Sequence, residues 1–518
     1  MLNSINLVSF RGLSSNIARF EKPATETITA PIVEQKSEEV QIPASAYRAY
    51  AMNGISFMGK SLSPALKGLT QEFRMPGNVG NFADVIAKYS TDMKFVIAES
   101  ADRIGEKGQF LNWVDLPASQ LRKNKAGVSH LDEVIAQSEA LRARTNADGS
   151  VRPLVVLGIG GSKHTAEFLA AMSGVGKNGK LHFYSDIDPL SFKNFLESTG
   201  GKASDLNYLV VSKSGTTFET ADAFKRFENQ LVKEYRKSGM TKREAEAKAQ
   251  EHFAICTDAT ATAKNMRGRI GSVNGEGNSY IKELYVHDDV GGRFSMFDDP
   301  SLFAISYAGV PKRNIVRVLN SADRTSKMCL SENIESNPAA KAAIFNTYSR
   351  DNGFNLVQHN YYGGIFELGA ENWTKQLYLE SLKDFDYAVG KACDSMHYAT
   401  EGHFSPNNRT SYNTVMTIMD PKISDNYKKY TGALAATYNE TTPLYIETLN
   451  VEKGAISPEA IGELIQKTHF QTIYEGMLRR TVNGKSSPEV LPEVLQPSVE
   501  AYKNKFKPGS PFELNPGK

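Results

Sequence analysis

The sequence predicts an α/β protein: two doubly wound, parallel-sheet domains (αβα sandwiches) flanked by helical N- and C-terminal segments. Three observations carry that expectation. Short apolar runs, RPLVVLGIGGS, LHFYSDIDP, NYLVVSKSGTT and HFAICTDA, end in glycine, hydroxyl or acidic residues, as buried parallel strands do. Helical stretches such as KHTAEFLAAMS and FETADAFKRFENQLVKEYRKSG lie between them, the alternation that covers a sheet on both faces. The theme returns in the second half, where FNLVQHNYY, TVMTIMDP and PLYIETLN are strand candidates and ENWTKQLYLESL is helical.

Taken in order, residues 1–45 are rich in Thr, Glu, Pro and Ser without apolar periodicity and are expected to form a flexible tail. Residues 46–129 read as a mostly helical segment packing on the core. HLDEVIAQSEALR places Leu131, Val134, Ile135, Ser138 and Leu141 on one helical face. The first sheet domain is expected over 130–290, the second over 300–490, and a C-terminal segment over 491–518.

The composition narrows the function. With 518 residues, 40% hydrophobic, and a formal net charge of +2, the chain has material for sizeable cores and no electrostatic footprint for nucleic acid or an anionic membrane. Cys256, Cys329 and Cys393 are odd in number and widely spaced, neither a disulfide framework nor a zinc pattern. No run approaches the ~18 apolar residues of a membrane span. The opening MLNSINLVSFRGLSSNIARF has Arg11, Arg19, four serines and no acid, the composition of an organellar transit peptide or of an ordinary tail; a cytoplasmic protein is expected.

Two loops stand out. Gly158-Ile-Gly-Gly-Ser162 and Ser212-Lys-Ser-Gly-Thr-Thr217 each follow a strand and open a helix. In an open parallel sheet such carboxyl ends are where ligands sit, and a helix N-terminus offers unpartnered N–H groups to an anion. One serine or threonine there is ordinarily an N-cap. Hydroxyls at 212, 214, 216 and 217 together point to a phosphate. A dinucleotide fingerprint fails, because its third glycine is Lys163, and no Walker lysine pattern is present.

GIGGS, SKSGTTFET, VGGRFS, QLYLES and QPSVEAYK, in that order, resemble the phosphoglucose isomerases, particularly the bacterial type, over about residues 50–505. The resemblance implies two sugar-isomerase domains, a homodimer with active sites at the subunit interface, no metal and no organic cofactor. It places the phosphate cradle at Ser162, Ser212, Ser214 and Thr217 with backbone from Gly161 and Lys213, and substrate-holding glutamines at Gln376 and Gln496. Glu380, Arg293 and Lys503 fall on catalytic positions, and Glu219 on the acid that orients a catalytic histidine. That histidine is His397, which follows Asp394, with His403 the alternative. The chain departs from the pattern at Asp298 and Asp299, where small residues are usual, in the SLKD after Glu380, and at Ser498.

The expected chemistry is reversible isomerisation of glucose 6-phosphate and fructose 6-phosphate. One carboxylate, Glu380, shuttles a proton between C2 and C1, its pKa raised by burial in LYLES. Arg293 stabilises the cis-enediolate; His397 and Lys503 open the sugar ring. A non-catalytic sugar-phosphate sensor, or an isomerase of another hexose phosphate such as mannose 6-phosphate, would share the cradle.

Overall fold

The computed structural model describes residues 65–75, 82–215, 217–258, 280–287, 289–382, 387–393 and 412–481. In chain order its principal strands are β1 (Leu69–Arg74), β2 (Leu154–Leu157), β3 (Leu181–Tyr184), β4 (Asn207–Val211), β5 (Phe253–Thr257), β6 (Ile281–Tyr285), β7 (Leu356–Tyr362), β8 (Tyr387–Cys393), β9 (Tyr412–Met419) and β10 (Leu444–Leu449).

Strands β2 to β6 form one sheet in the order β3-β2-β4-β5-β6, with every neighbour parallel. The apolar runs behave as expected: β2, β4 and β5 are buried along their whole length. The chain runs outward one way from β2 to β3 and the other way from β4 to β5, so the switch point lies between the carboxyl ends of β2 and β4. Helix Gly161–Met172 leaves β2 and helix Phe218–Lys237 leaves β4.

The second sheet has the order β1-β10-β9-β7-β8. Its four later strands are parallel, whereas β1 runs antiparallel along β10, with Leu69 opposite Leu449 and Arg74 opposite Leu444. The 46–129 segment is therefore not helical throughout, although it also supplies helix Phe82–Asp102. LTQEFR alternates, with Thr70 and Glu72 exposed between more covered residues, the period of a strand. Phe73 stacks on Phe82 and on Tyr445, ring centroids 4.5 and 4.7 Å apart.

Helix Pro458–Leu478 is buried at every residue but Glu459, so its polar residues need partners. Glu463 accepts the backbone N–H groups of Lys67, Gly68 and Leu69 at 2.7–3.1 Å and pairs with Arg324. Lys467 pairs with Glu447, which also accepts from Thr417 at 3.0 Å. The helix crosses Lys312–Cys329 at Gly462, where a Cβ would lie 2.2 Å from Ser321 Oγ and Val318 O.

Candidate active site

The two loops singled out in the sequence meet at the first switch point. They line a cavity of about 460 Å³ with Ile159 and Ser162 from one loop, and Ser212, Lys213, Ser214 and Thr217 from the other. Gly160, at φ +53°, is the last residue before helix Gly161–Met172, a conformation that favours glycine. Ser212 Oγ lies 3.5 Å from Thr217 Oγ1. The Lys213 ammonium donates instead to the carbonyls of His287 and Val290, at 3.1 and 3.4 Å, which leaves its backbone at the loop. Thr220 and Asp258 also line the cavity. Sequence reasoning missed both; the position of Asp258 directly after β5, at a strand's carboxyl end, was the available signal.

Gln376 and Glu380 are one turn apart on helix Ala370–Leu382. The helix buries Trp373, Leu377 and Tyr378, and Trp373 stacks on Phe168 of helix Gly161–Met172 at 4.9 Å. The close approach of these helices requires Gly369, where a Cβ would lie 2.6 Å from Phe168 N. Gln376 Nε2 reaches Glu380 Oε1 at 3.1 Å and lies 2.9 Å from where a Cβ on Gly160 would be. The Oε1 atom of Gln376 is buried and has no hydrogen-bond partner among the described residues.

Arg293 belongs to the short 3-10 segment Gly292–Phe297 and is 4% exposed. Its Nε donates to Ser381 Oγ at 2.7 Å and its Nη1 to Glu380 Oε2 at 3.4 Å. The backbone of Gly161 presses on this segment: a Cβ there would sit 2.1 Å from Gly292 C. Arg293, Gln376 and Glu380 thus face the GIGGS loop that also walls the cavity. Ser381 is a third residue missed from sequence; its place beside Glu380 was the only hint.

One expectation is corrected. Glu380 is not buried by its LYLES setting, since its side chain is 50% exposed; the apolar residues of that helix point to the opposite face. Glu219 lies in the first turn of helix Phe218–Lys237. His397, His403, Gln496 and Lys503 lie outside the described residues.

The departures at Asp298 and Asp299 have a definite setting. Both are fully buried. Asp298 accepts from His287 Nδ1 at 2.5 Å, and Asp299 from His130 Nε2 at 2.9 Å, Gln120 Nε2 at 3.1 Å and Tyr285 N at 2.9 Å. Burial opposes charge on both members of the His130–Asp299 pair, but their mutual hydrogen bond and attraction win, raising the pKa of His130 and lowering that of Asp299.

Parallel sheets whose first switch point holds a hydroxyl-lined cradle beside an arginine–glutamate pair define an α/β protein of the sugar-isomerase fold. The chain is 19% identical to a hypothetical protein from Thermus thermophilus, covering 84% of this chain and 98% of that one with a TM-score of 0.64. It shares the fold of a glucose-6-phosphate isomerase from Chlamydia trachomatis at 16% identity, TM-score 0.58, over 85% of this chain and 92% of that one. Its sequence relatives are glucose-6-phosphate isomerases, as the motifs implied. That of Staphylococcus haemolyticus is 29% identical over 61% of this chain and 66% of its own length, and that of Staphylococcus saprophyticus 26% identical over 77% and 86%. The match spans 57% of the relative from Acetivibrio thermocellus and 56% of that from Streptococcus pyogenes, to which the chain is 30% identical. No family model matches the chain. Among the described residues, no helix is long and apolar enough to cross a membrane.

Proposed function

We propose that this protein interconverts glucose 6-phosphate and fructose 6-phosphate. The observation that carries the proposal is the Arg293–Glu380 pair, 3.4 Å apart, set against the glycine loop that walls the hydroxyl-lined cavity. The cavity holds the phosphate as a handle through Ser162, Ser212, Ser214, Thr217 and the Gly161 and Lys213 backbone. Remote binding of this kind positions the reacting carbons. Glu380 removes the proton from C2 of the open-chain aldose and returns it to C1; the half-exposed carboxylate is accessible to the sugar. Arg293 faces the oxygens on which charge develops in the cis-enediolate. Gln376, its Oε1 short of a donor, receives a sugar hydroxyl, and Gln496 shares that task. Ring opening falls to His397, oriented by Glu219, and to Lys503. The similarity to named isomerases supports this reading; a cytoplasmic homodimer with shared active sites is part of the proposal. The boundaries near 130–290 and 300–490 are part of the same proposal.

The test is turnover of fructose 6-phosphate by purified protein in EDTA, with Glu380→Gln alongside. Formation of glucose 6-phosphate by the parent and a loss of about 10²–10⁴-fold in the variant is the expected result. Phosphate-ester binding without turnover by the parent would make it a sensor instead, and preference for mannose 6-phosphate would reassign the substrate. His397→Ala and His403→Ala, assayed separately on the cyclic sugar, identify the ring-opening histidine: loss in His403→Ala alone would overturn the assignment to His397.

A further inference from the structure

We propose that His130, His287 and Asp299 bind one first-row divalent cation of the zinc type, at a site beside the Arg293 segment and separate from the sugar chemistry. One candidate ligand atom from each of the three lies within 4.8 Å of the others. The His130 Nε2 to Asp299 Oδ1 hydrogen bond of 2.9 Å need lengthen by only about 0.5 Å to match two ligands of a tetrahedral ion with bonds of ~2.0–2.2 Å. The His287 imidazole, 29% exposed, can approach the other two by rotating its ring.

The surroundings are those of a ligand set. A metal-binding histidine ordinarily gives its other ring nitrogen to a carboxylate, which fixes its orientation. His287 Nδ1 is held by Asp298 at 2.5 Å, and His130 Nδ1 faces Glu133 at 3.3 Å. The carboxylate of Asp299 is held in place by Gln120 and the Tyr285 N–H. Asp298 and Asp299 are adjacent, fully buried carboxylates; the donors that meet them are backbone N–H groups, a glutamine amide and two imidazoles. A divalent ion adds a cationic partner to this pair of adjacent carboxylates. Two imidazoles and one carboxylate suit zinc, nickel or cobalt better than magnesium or calcium. With His130 and His287 about a quarter exposed, the ion enters from solvent, and water completes its coordination.

The ion would join three places in the chain: the first residue of helix His130–Arg142, the residues just past β6, and the first residue of helix Asp299–Tyr307. The last two flank the segment that carries Arg293, so the ion braces that segment without touching substrate.

The test uses tag-free, EDTA-stripped full-length protein titrated with Zn²⁺ alone by calorimetry, beside His130→Ala, His287→Ala and the control His182→Ala. One ion per chain, a raised Tm on binding, at least about tenfold weaker binding in both site variants and no change in the control are expected. Less than one ion per chain, or site variants that bind like the parent, would overturn the proposal. Far-UV circular dichroism checks that the variants fold. If either does not, Co²⁺ added to the unsubstituted protein decides: visible bands distinct from aqueous Co²⁺ and abolished by Zn²⁺ support the site, and their absence refutes it. Isomerase activity in EDTA is read separately, so failure of the metal site and failure of the proposed reaction are distinguishable.

Discussion

Arg293 is held on two sides, by Ser381 at 2.7 Å and Glu380 at 3.4 Å, so its charge stands in a fixed direction. A lysine would keep the charge and lose the planar fork that makes both contacts. Arg293→Lys is expected to lower kcat by about 10²–10³-fold with a smaller change in KM, measured by a coupled assay of glucose 6-phosphate formation. In the cradle the expected split is the reverse. Ser212→Ala combined with Thr217→Val removes two hydroxyls, at about 1 kcal/mol each; KM should rise by about tenfold or more and inorganic phosphate should inhibit correspondingly less. At this scale the sequence was legible where a run of unusual residues lines the cavity, as in SKSGTT. It misled at Glu380, because apolar neighbours on a helix bury the face they occupy and not the face opposite. The partners of Asp298 and Asp299 were not legible at all: His130 lies 169 residues from Asp299, and no local pattern links them.

Among elements, the strands recognised in advance and those missed differ in position. The interior strands β2, β4, β5, β7, β9 and β10 all announce themselves as apolar runs. The three missed, β1, β6 and β8, are all at sheet edges, where one flank lacks a strand neighbour and polar residues are admitted, as in LTQEFR and IKELY. Element packing also sorts the glycines. At Gly161 a Cβ would sit 2.1 Å from Gly292 C, whereas at Gly158 the nearest atoms are 3.4 Å away. Gly161→Ala should therefore displace the Arg293 segment, costing about 1–3 kcal/mol and most of the activity, whereas Gly158→Ala should leave Tm within a few degrees of the parent. Thermal melts and turnover of the two variants make the comparison. A Gly161→Ala protein with parental activity would show that helix Gly161–Met172 does not position Arg293.

Over the whole molecule, acid sensitivity is written into three buried histidines. Burial holds His252, His359 and His469 at pKa values of about 3, against about 6.5 in an unfolded chain. Above pH 6.5 they are neutral in both states. Below it the unfolded chain takes up protons that the folded chain refuses, so stability falls as pH drops from about 6.5 toward 3. The slope is about 1.4 kcal/mol per pH unit for each histidine. Urea unfolding at stepped pH checks this, and His469→Phe, replacing an imidazole among Trp113, Phe294 and Trp373, should flatten the slope by about one third. An unchanged slope would mean that His469 is protonated in the folded state.

Glu463 receives the N–H groups of Lys67, Gly68 and Leu69 from up to 396 residues away, and β1 waits equally long for β10. At ribosomal speeds of ~5–20 residues per second, that interval lasts roughly 20–80 s. The apolar cluster on one face of the first sheet spans only residues 155–280 and has all its members long before then. A nascent chain therefore carries one completed face of a sheet while β1 still lacks its partner β10. For most of its synthesis the protein depends on that strand being short and polar enough to find no other edge.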